Sequence, residues 1–103
     1  MGYSTVAQVR EILNAEDDED IDEELTNCIK TADAIVDTRL AAKGLAADAN
    51  SQTISDASAH FAAFHFRLRR DPAGTKVFLE EAEKFLSQFV DAEKYDDVGV
   101  RRG

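Results

Sequence analysis

The chain has 103 residues, with 21 acids against 12 bases and a formal net charge of −9. That length carries one hydrophobic core and not two, and the acidic balance argues against general affinity for nucleic acid or anionic membranes, which would repel it. A single cysteine, Cys28, excludes an internal disulfide and a cysteine-based zinc site.

Breakers are few, and Ala, Leu, Glu and Asp are plentiful, so helices are favoured throughout. Residues 5–14 read as a short first helix. Thr5 and Gln8 fit a capping box, and Val6, Val9 and Leu13 share a face with Ile12 beside it. The run Glu16–Glu24 holds eight acids in nine positions, broken by Ile21. Such a density of like charge self-repels and stays solvated. Asp18, Asp20 and Asp22 alternate as in a calcium loop. However, Glu23 stands where the sharp turn needs glycine, and Ile29 where the bidentate acid belongs.

A second helix is expected over 21–43, capped by Asp20 with Glu23 and ended by Gly44 in the left-handed region. Its apolar face is Ile21, Leu25, Cys28, Ile29, Ala32, Ile35, Val36 and Leu40. Cys28 on that face reads as a buried, inert thiol. Residues 44–52 form a loop, with Leu45 folding back on the core.

The third helix, Thr53 to Asp71, is the expected centre of the core. Ile54, Ala57, Phe61, Phe64 and Leu68 recur at gaps of three and four and make one apolar stripe. Thr53 with Asp56 is the expected cap. Arg67, Arg69 and Arg70 suit the negative end of the helix dipole, and Asp71-Pro72 stops the helix. The short connection after Pro72 predicts antiparallel third and fourth helices. The fourth helix, 75–94, starts at Thr75 and turns Phe78, Ala82, Phe85 and Phe89 inward, flanked by Leu79, Leu86 and Val90. From Tyr95 the helical pattern breaks. Residues 95–103 are expected as an extended tail, either frayed or ordered on a partner, beyond a helical domain of residues 1–94. The expected fold is therefore all-α: a small bundle of one short and three longer helices with an extended C-terminal tail.

No residue set announces catalysis. His60 and His65 lie five apart on a helix and point in different directions, which makes a poor metal pair. Asp56 and His60, one turn apart, suggest a surface hydrogen bond more than a catalytic dyad. No nucleophile elbow and no glycine-rich phosphate loop occurs. A non-enzyme with no cofactor and no metal is expected. The opening MGYSTVAQVREIL lacks a secretory pattern, and no apolar stretch reaches membrane-spanning length, so residence in the cytoplasm of the producing cell is expected. The Asp-rich, Lys-poor acidity fits a halophilic protein, and equally an acidic mesophilic one.

Taken in order, the features resemble the small head–tail connector, or adaptor, proteins of long-tailed phages and archaeal tailed viruses. The resemblance rests on Tyr3, Thr5 and Val9 before a short helix, and on an acidic stretch leading to Ile21-x-x-x-Leu25. It continues through Ala32-x-x-Ile35-Val36-Asp37-x-x-Leu40. The helix Ala59 to Arg70 with its Arg-rich end, the last helix from Phe78 to Ala92 and a short tail complete it. The loop Leu45 to Ser51 departs from the pattern, being shorter and lacking the aromatic and proline residues of many relatives.

The resemblance implies a structural virion protein at the head–tail interface, assembled in the host cytoplasm. It would form a homo-dodecameric ring between the portal protein and a tail-side or stopper connector. DNA would pass through its channel without specific binding, and no membrane is involved. Carried onto this sequence, it makes Tyr95, Val98, Val100, Arg101 and Arg102 a portal-binding tail. Asp17, Asp18, Glu19 and Asp20, with Arg67, Arg69 and Arg70, become subunit–subunit or channel contacts. The arginines have two other readings, as complements of the helix dipole or as phosphate ligands. The alternatives for the whole chain are a small acidic regulatory protein, repressor- or antitoxin-like, and a scaffold bundle dimerising through its Phe-rich helices.

Overall fold

The computed structural model describes residues 2–14 and 21–102, with side chains described as far as Glu93. Among the described residues there are four helices and no strand: α1 Val6–Leu13, α2 Asp22–Ala41, α3 Gln52–Leu68 and α4 Lys76–Arg102. The all-α bundle expected from the sequence is present.

α3 packs against all three other helices. The reason lies in its small residues. Ala57, Ser58, Ala59, Ala62 and Ala63 are all buried, as are Ile54, Phe61 and Phe66. A helix whose apolar face is this wide packs on several neighbours at once, and alanines let the three approach closely. The single-stripe expectation was too narrow. Its first half, Ile54, Ala57 and Phe61, is buried, but Phe64 is half-buried and Leu68 is 42% exposed.

α2 and α4 both run antiparallel to α3 on its two flanks. Glu24 meets Arg70 and Asp33 meets Ser58 on one side. His60 stacks on Phe85, with ring centroids 5.2 Å apart, on the other. α2 contributes Leu25, Cys28, Ile29, Ala32, Val36 and Leu40 to the core, and α4 contributes Ala82, Leu86, Phe89 and Val90. Phe78 and Phe85 are only partly buried, so the inner face of α4 is rotated toward Leu86 and Val90 relative to the expected one. α1 adds Val9 and Leu13.

The helix ends show where local signals won or lost. The Thr5–Gln8 capping box forms on both sides, at 3.2 and 2.8 Å. At α2 the N-cap is Ile21, with no side-chain cap bond. Asp20, expected there, lies outside the described residues. The acids Asp22, Glu23 and Glu24 in the first turn supply the favourable charge instead. Gly44 takes φ +74°, and the Leu45 N–H returns 2.9 Å to the Leu40 carbonyl, a Schellman-type closure.

α3 starts two residues earlier than expected. Ser51, not Thr53, is the cap and accepts from the Ile54 N–H at 3.3 Å. Ser51 is as good a cap as Thr53, and starting there gains an extra Gln52–Asp56 bond one turn on, at 3.0 Å. The α3–α4 connection turns on Gly74, at φ +81°. Thr75 is buried and its hydroxyl donates to the Pro72 carbonyl at 2.8 Å. Where an extended arm was expected from residue 95, the backbone of α4 is helical to Arg102. Residues 95–102 contain no proline, and extending an existing helix avoids the nucleation step.

Candidate functional site

Three features of the described surface bear on function: an arginine-rich pole, a polar clamp on the N-terminal segment, and an apolar groove.

The pole is the C-terminal end of α3. Arg70 makes a forked pair with Glu24, at 2.6 and 2.8 Å, and its guanidinium lies over the Phe66 ring, 3.8 Å from the centroid. This hydrogen bonding holds the Glu24 carboxyl below its ordinary value, against a smaller opposing effect of burial, and raises Arg70 in turn. Arg67 donates to the Leu13 carbonyl at 3.4 Å. Arg69 is 67% exposed and stands 4.0 Å from Glu24. α1 and α2 are joined nearby by an ion pair between Arg10 and Asp22.

The arginines and the acidic stretch thus meet within one chain. Arg67 touches the end of α1 and Arg70 the start of α2, the two helices that residues 15–20 join in sequence. Of the three arginines expected as subunit–subunit or channel contacts, Arg67 and Arg70 also have partners within the chain. Asp17, Asp18, Glu19 and Asp20 lie outside the described residues. Tyr95, Val98, Val100, Arg101 and Arg102 fall in the last turns of α4, where the backbone alone is described. Cys28, beside this pole, is 2% exposed, and burial pushes its thiol up, as expected for an inert packing residue.

The clamp joins residues that the sequence did not connect. The Tyr3 N–H donates to Asp33 Oδ2 at 3.1 Å, and its hydroxyl donates to Asp37 Oδ1 at 2.5 Å. Ser58 Oγ donates to Asp33 Oδ1 at 2.6 Å and lies 2.8 Å from Ser4 Oγ. The Asp37 bond, burial and the two nearby carboxylates push the Tyr3 phenol up to about 12. Gly2 lies so close to α2 that a Cβ there would meet Asp33 Oδ2 and Ile29 Cγ2 at 2.8 Å. The available signal was Asp33 and Asp37 at i, i+4 on α2, one turn apart and facing the same way.

The groove lies between α2 and α4 over the C-terminal half of α3. Its cavity is about 420 Å³. α2 supplies Thr31, Ala34, Ile35 and Thr38, α3 supplies the floor of Phe61, Phe64 and His65, and α4 supplies Leu79. Arg39 closes one end, 5.9 Å above the Phe61 ring and 2.5 Å from Glu83 on α4. Beyond that ion pair a second, more polar stretch of about 410 Å³ continues past Lys43, Leu86 and Asp91. His65 Nε2 is buried with no hydrogen-bond partner. Burial, and then the charge of Arg69, lower the His65 pKa. Of the expected apolar stripe, Phe61 and Phe64 form part of this floor.

His60 Nδ1 donates to the Asp56 backbone carbonyl at 2.8 Å, while the Asp56 carboxylate accepts from Gln52. The pair is a helix-surface contact. Among the described residues no cluster of three or more His, Cys, Asp or Glu side chains is arranged to hold a metal ion, and no helix is long and apolar enough to cross a membrane. Compared with family models, curated proteins and solved structures, the chain has no match in any of the three.

Proposed function

We propose that this chain is a structural virion protein, a head–tail adaptor that assembles as a homo-dodecameric ring between a portal and a tail-side or stopper connector. The observation that carries this reading is the whole-length order of features. It runs from Tyr3, Thr5 and Val9, through the acidic stretch and the Ala32–Leu40 segment, to the Arg-ended third helix and the last helix. The role is non-enzymatic. An acidic channel wall repels the DNA backbone and lets it slide without sticking. Residues 95–103, with Tyr95, Val98, Val100, Arg101 and Arg102, form the portal-binding element in this proposal. The open groove on a chain this small adds support, because a ring subunit needs a face for its neighbour.

The test is co-assembly. The purified chain is mixed with the portal ring encoded by the same genome, at low and high salt, and imaged by electron microscopy. A symmetric collar on one end of the portal, lost on deleting 95–103, is the expected result. A folded chain that forms no collar in either salt overturns the proposal.

A regulatory, DNA-binding role through Arg67, Arg69 and Arg70 is the weaker reading. Arg70 is held by Glu24 and Phe66, so a phosphate would have to displace a forked ion pair in a chain of charge −9.

A further inference from the structure

We draw no further inference here: the strongest candidate, the apolar groove between α2 and α4 over Phe61, Phe64 and His65, carries nothing because nothing in the structure shows what covers it.

Discussion

The two long furrows beside α3 have opposite fates. One is filled by α1 and the clamped Tyr3-Ser4 segment, and its buried polar atoms are matched: Ser58 to Asp33 and Ser4, and Asp33 to Tyr3. The other, between α2 and α4, is filled by nothing among the described residues, and its floor holds a buried, unpartnered nitrogen on His65. The difference comes from length. α1 has eight residues and lies on one side of α3, so a single short helix cannot cover both furrows. What the comparison teaches is that an apolar residue in a regular stripe is not thereby a core residue. It is core only where a neighbour reaches it.

Substitutions sharpen this contrast in descending order. Phe61, 1% exposed in the floor of the open furrow, has the largest expected effect. Phe61→Ala should destabilise by about 3–5 kcal/mol, measured by urea denaturation. A loss below about 1 kcal/mol would mean that the groove collapses onto the vacancy and is not a stable feature.

On the closed side, Asp33→Ala should cost about 1–3 kcal/mol, since it leaves the buried Ser58 hydroxyl with Ser4 alone and takes the acceptor from the Tyr3 N–H. Faster amide exchange at Tyr3 and Ser4 would locate the loss at the clamp.

The pole should be worth less. Arg70→Ala breaks an exposed forked pair and a contact with the Phe66 ring, and about 1 kcal/mol is expected. The effect should shrink in high salt, which screens the ion pair.

Titration separates the open furrow from the pole. His65 has its pKa lowered in the fold from 6.5, so the unfolded chain binds more protons as pH falls below that value. Stability should decline there and level off below the folded pKa. His65→Gln should abolish that slope and leave the decline due to Glu24. Glu24, lowered from 4.5, contributes stability present above that value and lost as pH falls through its folded pKa. The smallest change is at the exposed Leu68. Leu68→Ser should alter stability by less than about 0.5 kcal/mol in a melt of dilute protein.

Much of the architecture was legible because periodicity and punctuation agreed. The Thr5–Gln8 box, Gly44 in the left-handed region and the spacing of Leu25 through Leu40 are local rules with local outcomes, whereas α3 ends at Leu68, three residues before the expected stop at Asp71. Ser51 and Thr53 are both good caps two residues apart, and propensity alone does not choose between them. The inward register of α4 depends on which side of α3 it meets, so Phe78 and Phe85 were placed deeper than they lie. Of the candidate site, Arg67, Arg69 and Arg70 were visible as a cluster, but their partners were not. Glu24 lies 46 positions before Arg70, and no local pattern joins them. The groove was hidden for a related reason: it is made by what α1 fails to cover, a property of three helices together.

The Arg39–Glu83 pair is the described ion pair that ties α2 directly to α4. Both side chains are nearly half exposed, at 49% and 42%. A half-exposed pair of this kind is a weak restraint, worth roughly 0–1 kcal/mol, and salt screens it further. The spacing of the two outer helices is therefore set by the core they share with α3, to which α2 gives Val36 and Leu40 and α4 gives Leu86 and Val90.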